Sequence, residues 1–277
     1  MISLVDQFRG FCSTPSIFPQ NKNLSVRSFS FPDVEINSAI VNDLENIVHP
    51  RNSVLGKRME SFFEIAIKHS ERYDLIDSNI QIIENKQTLG EIDFLLYDKL
   101  KACPLHVELV YKLYVYDEQL SPEINRWIGP NRKDSFSEKL EKLKNKQFPI
   151  LYKPETLTYL EKLGLAPQDI EQRLCFKAKL FTASDLPIQK DENNIINSDC
   201  FSGELYRFSE FEKFNWQQNL FFSPQKKYWS ASPATNPEWL DYNDIVKNIK
   251  SLFERQRAPL IWMKTKTGYK SFFVVWW

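Results

Sequence analysis

The chain has 277 residues, of which 42% are hydrophobic, 14% aromatic and 26% charged, and its 36 basic residues are balanced by 36 acidic ones. Such a composition excludes a disordered chain and a polybasic nucleic-acid binder. The length suffices to bury a core without disulfide staples, and any contact with a polyanion must come from a local patch.

Residues 1–36 hold several aromatics with little periodicity and read as an irregular arm with a short helix. Residues 38–48 read as a second short helix. From Ser53 to Glu71 the apolar residues Leu55, Met59, Phe62, Phe63 and Ala66 fall on one helical stripe, which predicts the first long helix. SNIQIIE (78–84), Leu89–Tyr97 and Leu105–Tyr116 read as strands, the last two joined by a short turn. A loop with Gly129-Pro130-Asn131 follows. Asp134–Gln147 reads as a helix with Asp134 as its N-cap, and Phe136, Leu140, Leu143 and Gln147 share one side. Residues 154–163 predict a helix stopped at Gly164, and 171–182 a strand. The polar stretch 184–199 reads as an exposed loop. Residues 217–230 predict a strand, 239–256 a helix, and 259–264 with 270–276 a closing hairpin. The apolar ending FFVVWW is expected to pair as a strand.

The fold class is therefore α/β or α+β. Three regions are expected: an arm and short helix (1–52), a core (53–153), and a C-terminal α+β extension packed on it (154–277). Cys12, Cys103, Cys175 and Cys200 lack metal-knuckle spacing and read as reduced, buried thiols. The opening residues lack a basic segment followed by an apolar run, and no stretch approaches ~18 apolar residues. The expectation is a cytoplasmic protein with no membrane contact.

Side chains alternate between the faces of a strand. In LGEIDFLLYD, Ile92, Phe94 and Leu96 face one way and Glu91, Asp93 and Leu95 the other. In LHVELVYKLYV, Val107, Leu109, Tyr111 and Leu113 face one way and His106, Glu108, Val110 and Lys112 the other. If these strands are neighbours, one sheet face gathers Glu91, Asp93, His106, Glu108 and Lys112. Carboxylates this close repel unless one takes a proton or a cation sits between them. A hard divalent cation such as Mg²⁺, or Mn²⁺, suits them, and a nearby lysine then fits phosphodiester hydrolysis. Glu60 on the preceding helix can complete the set. Glu64 stands four residues before Lys68, the spacing of an ordinary surface pair, whereas Glu60 has no such partner. The same pattern also describes a plain salt-bridged sheet face, with His106 and Glu91 as ordinary strand residues.

A helix glutamate, a strand with G-E-x-D and a strand with E-x-x-x-K together resemble a variant of the PD-(D/E)XK nuclease superfamily. More closely, LGKRMESFFE, LGEIDFLLYD, LHVELVYKLYV, WIGPNRKDSFSEKL and Gln147 resemble a bacterial family of unknown function, family 1853, placed in that superfamily. RLCFKAKLF and KKYWSASP extend the likeness. The resemblance implies a restriction-endonuclease-like mixed central sheet flanked by helices, with extra C-terminal strands and helix. It implies Asp93 and Glu108 as metal ligands, Glu60 as the helix carboxylate, Lys112 as the catalytic lysine and Gln147 as an auxiliary polar residue. Glu64, Glu91 and His106 would support the ligands from behind. One departure stands out: the lysine comes four residues after Glu108 rather than two. It keeps the same face but lies about 7 Å further along the strand.

Residues 125–153 carry eight basic against three acidic residues. Arg126, Arg132, Lys133 and Lys139 are the candidates for phosphate contact, with Trp127, Tyr152 and Trp229 as bases' stacking partners. A solvated helix face and core aromatics are the alternatives. The leading function is a Mg²⁺-dependent nuclease, with DNA preferred over RNA. The second is an inactive nuclease fold that binds nucleic acid or a protein. The third is an interaction protein whose FFVVWW ending pairs across a homo-oligomer interface.

Overall fold

The computed structural model describes residues 2–19, 27–49, 55–183 and 196–277. Most of the polar loop expected at 184–199 lies outside them, as do parts of the N-terminal arm. In chain order the elements are α1 (Leu4–Ser13), β1 (Arg27–Ser28), α2 (Ser38–Glu45), α3 (Leu55–Lys68), β2 (Tyr73–Glu84), β3 (Gln87–Asp98), β4 (Cys103–Tyr116), β5 (Trp127–Ile128), α4 (Phe136–Lys142), α5 (Pro154–Lys162), β6 (Glu171–Thr182), β7 (Phe201–Arg207), α6 (Phe208–Phe211), β8 (Leu220–Phe222), α7 (Tyr242–Phe253), β9 (Leu260–Thr265) and β10 (Gly268–Val275).

One mixed sheet of ten strands connects them in the order β2-β3-β4-β6-β7-β10-β9-β8, with β1 beside β6 and β5 beside β4. The β2/β3, β3/β4, β10/β9 and β9/β8 pairs are antiparallel, whereas β4/β6, β6/β7 and β7/β10 are parallel. The β4/β6 ladder runs unbroken from Leu105↔Glu171 to Val115↔Phe181, so a single sheet crosses the boundary expected at 153/154. Parallel neighbours need a crossover, and α4 and α5 supply it. Strands buried on both faces read as near-continuous apolar runs, which is why RLCFKAKLF predicts its strand so well.

The helices flank the sheet on both faces. On one face, the stripe of α3 (Leu55, Met59, Phe62, Phe63, Ala66) packs with Phe8 and Phe11 of α1 over Phe94, Leu96, Val107 and Tyr111. On the other, Phe136, Leu143 and Phe148 cover Val110, Tyr114 and Phe176. Phe272–Val275 of the apolar ending are buried between β7 and β9, as expected for a paired strand.

Three expectations need correction. The helix at 134 is capped by Ser135, whose Oγ accepts the Glu138 N–H at 3.2 Å, and not by Asp134. The strand expected over 217–230 is confined to Leu220–Phe222, because Pro224 brings no N–H donor and a 3₁₀ turn follows at Lys226–Tyr228. Strand β7, Phe201–Arg207, lies where the sequence pattern suggests no strand. A glycine in its middle hides it from propensity, yet the glycine is what lets β7 approach β10: a Cβ on Gly203 would lie 1.9 Å from the Ser271 carbonyl oxygen. Gly203→Ala should therefore lower stability by about 1–3 kcal/mol in urea unfolding. Gly56→Ala, whose Cβ would meet nothing within 4 Å, should not.

Candidate functional site

The β3/β4 pairing ends at Phe94↔Val107. Beyond it the two strands part, and the Leu109 backbone N–H donates to Asp93 Oδ2 at 2.8 Å instead of to a strand carbonyl. This fork brings Asp93 against Glu108, with the two carboxyl groups within hydrogen-bonding reach of each other. Glu108 is wholly buried and Asp93 partly so.

Both oxygens of Glu108 accept hydrogen bonds. His106 Nε2 lies 2.8 Å from Oε1, and the Gln147 amide nitrogen donates to Oε2. The Gln147 oxygen accepts from Lys139 Nζ at 2.6 Å. An ammonium can only donate, so the orientation of the Gln147 amide is determined. Lys139 and Gln147 are eight residues apart, which on a regular α-helix would place them about 80° apart around the axis. Residues Leu143–Gln147 form a π turn, closed by the Phe148 N–H on the Leu143 carbonyl. The extra residue of a π turn cuts that offset to about 20°, so the Lys139 and Gln147 side chains meet and Lys139 is linked to Glu108 through the Gln147 amide.

Burial raises both acids, each to about 7. For Asp93 the Glu108 charge adds to this and the Leu109 N–H opposes it. For Glu108 the Lys139 charge opposes it. Burial also lowers the Lys139 ammonium, against the pull of Glu108 and Asp93. Burial takes His106 down to about 4. One proton on the carboxyl pair relieves the repulsion. Donors already occupy both Glu108 oxygens, so the geometry puts that proton on Asp93.

Glu60 lies on the α3 face nearest this pair and adds to the field that raises Asp93. Contrary to expectation it has a partner, Lys57, at 2.6 Å. Lys57 also reaches the Asn79 side-chain oxygen and feels the charges of Glu91 and Glu64. Glu64 does not pair with Lys68, which goes to Asp43 at 2.9 Å. Glu64 accepts instead from Ser78 Oγ at 2.6 Å and from Asn79 at 3.3 Å. Asn79 has φ 53°, an uncommon backbone state for a non-glycine residue.

Lys112 is not at the carboxylates. Its Nζ is held by Asp134 Oδ2 at 2.5 Å. The extra two residues of spacing put it beside the loop that opens α4. Arg126 bonds the Leu120 carbonyl and the Tyr116 hydroxyl, and Arg132 bonds Asp117 at 2.7 Å under the Trp277 ring. Lys133 is exposed, while Lys139 is drawn into the site. Trp127 and Trp229 are core residues, and Tyr152 is exposed.

The family model described as a domain of unknown function, DUF1853, matches residues 34–271. The chain belongs to the DUF1853 family. No curated protein and no solved structure matches it.

Within this DUF1853 chain two side chains matter that sequence spacing did not assign to the carboxylates. Lys139 was expected to face nucleic acid, and it faces Glu108 through Gln147. Gln172 reaches His106 Nδ1 from the neighbouring strand. Only the cross-strand register His106↔Gln172 reveals it. Among the described residues no three His, Cys, Asp or Glu side chains form a ready metal cage. The carboxyl pair makes the fold pH-sensitive. The folded pair holds protons up to about pH 7, whereas unfolded carboxyls lose them near pH 4. Its contribution is thus complete below about pH 4 and is lost as pH rises to about 7. Asp93→Asn should flatten this slope, so that urea midpoints of the variant fall less between pH 5 and pH 8 than those of wild type. Equal slopes would rule out the buried-pair account.

Proposed function

We propose that this protein is a metal-dependent nuclease of the PD-(D/E)XK type on a restriction-endonuclease-like fold. The observation that carries the reading is the fork at Asp93 and Glu108, where a partly buried and a fully buried carboxyl meet beside a lysine. Mg²⁺ is commonly held by only one or two carboxylates, with water and substrate phosphate completing its shell, so a two-acid set with no third ligand fits it. Asp93 and Glu108 would hold the Mg²⁺ or Mn²⁺, with Glu60 on the open side. The ion, when bound, supplies a water acidified for attack and neutralises charge on the phosphate.

The residues of the chain do the rest. Asp93 would hold the cation as a carboxylate, its proton released to solvent. Gln147 and His106 keep the Glu108 carboxylate in one plane. Lys139, a neighbour of both acids, takes the part of the catalytic lysine that Lys112 cannot take while bound to Asp134. Its ammonium stabilises the negative charge that grows on the phosphate in the transition state. The expected polymer is DNA rather than RNA, in a cytoplasmic setting.

A second reading has its own support. Lys139, Gln147 and His106 already satisfy Glu108, which suits an inactive descendant that binds nucleic acid or a protein without metal. Calorimetric titration with Mn²⁺, with and without an oligonucleotide, separates the two. Wild type should bind, and Glu108→Gln and Asp93→Asn should weaken binding by 10-fold or more. In cleavage assays on linear, circular and branched DNA, Lys139→Met should retain Mn²⁺ binding and lose about 10²–10³ in rate. Lys112→Met should stay within a few-fold of wild type. Absence of Mn²⁺ binding in every condition, with nucleic-acid binding that survives chelation, selects the second reading.

A further inference from the structure

Gln172 stands opposite His106 in the parallel β4/β6 register. Its amide nitrogen is 2.7 Å from the Phe148 carbonyl oxygen and 3.1 Å from His106 Nδ1. A backbone carbonyl only accepts, so the NH₂ end of the amide must point this way, and its two hydrogens serve the two acceptors. Nδ1 therefore acts as an acceptor and carries no proton. The single proton of the ring sits on Nε2, which donates to Glu108 Oε1 at 2.8 Å. The side chains of His106 and Glu108 are both 0% exposed, so water does not compete for this bond.

The same glutamine acts on the other side of the carboxylate. Phe148, whose carbonyl it holds, directly follows Gln147, the donor to Oε2. The Phe148 ring also meets the His106 ring edge-on, with centroids 5.6 Å apart. Both clamps on Glu108 thus trace back to one amide group on β6.

We propose that Gln172 is a positioning residue for the cation site: by imposing the Nε2-protonated tautomer on His106, it holds Glu108 as an oriented anionic ligand. The inference rests on the reading of Asp93 and Glu108 as a divalent-cation site. With the opposite tautomer, the Nε2 lone pair would face Oε1, and the carboxylate would have to turn away or take a proton. Residues that orient a metal ligand from behind typically change metal affinity by 10- to 100-fold when removed.

The chain has three histidines, so a long-range ¹H–¹⁵N spectrum of its imidazoles contains three patterns, and His106→Gln identifies the one from His106. Wild type should show the Nε2-protonated tautomer at His106. Gln172→Met, close in volume and without donors, should shift His106 towards the Nδ1-protonated form and weaken Mn²⁺ binding by about 10- to 100-fold. Unmoved signals from His49 and His69 report an intact fold. If Gln172→Met does not fold, Gln172→Glu, which accepts at Nδ1 instead of donating, must put a proton on Nδ1. An Nδ1-protonated His106 in wild type overturns the inference. So does a folded Gln172→Met with wild-type tautomer and Mn²⁺ affinity. Wild type that shows the Nε2 tautomer yet binds no Mn²⁺, even with an oligonucleotide, overturns the cation-site reading and the role built on it together.

Discussion

Past the Phe94/Val107 pair, β3 leaves β4, and the Leu109 amide finds a carboxylate in place of a strand carbonyl. That substitution is the constraint around which the rest is arranged. A backbone N–H at a strand fork needs an acceptor, because an unmet buried donor costs about 1–3 kcal/mol. Asp93 supplies the acceptor, and in doing so it is brought against Glu108 on the next strand.

Two carboxyls in a buried corner would destabilise the fold if nothing answered them. Here the answer is built from neutral donors and one cation. Gln147 and His106 donate to Glu108, the Leu109 amide donates to Asp93, and Lys139 reaches the pair through Gln147. The π turn at Leu143–Gln147 is what makes the last link possible, since it turns Gln147 onto the face that Lys139 already occupies. Outside this inner set lies a second layer of charges around Lys57, with Glu60, Glu64 and Glu91 near it. The site is thus graded from neutral donors at its buried end to paired charges at its open end.

The placement of the expected lysine shows how little a shared face guarantees. Lys112 points to the same side of β4 as Glu108, as alternation requires, but four residues along a strand span about 13 Å. Over that distance the loop that opens α4 intervenes, and Asp134 is the nearer anion. A side chain on another element, Lys139, has the shorter path. The same lesson holds for Glu64: its spacing from Lys68 suits an ion pair, yet Ser78 and Asn79 on β2 offer two hydrogen bonds at once.

Hydrophobic period alone determined much of this protein. It marked α3, β3, β4, β6, α5 and the closing hairpin, because burial imposes a repeat of 3.6 or 2 wherever one face meets the core, and a continuous run where both do. Strand alternation likewise put Asp93, His106 and Glu108 on one face from the letters alone. Tertiary structure decided the remainder. It hid β7, whose glycine is read only against the Ser271 carbonyl it must clear. It chose Lys139 over Lys112, and it introduced Gln172, 66 residues beyond His106. Local sequence sets which way a side chain points within its own element. Which donors it meets depends on register between strands and on where a helix begins and bends, and those are set by the packing of the whole sheet.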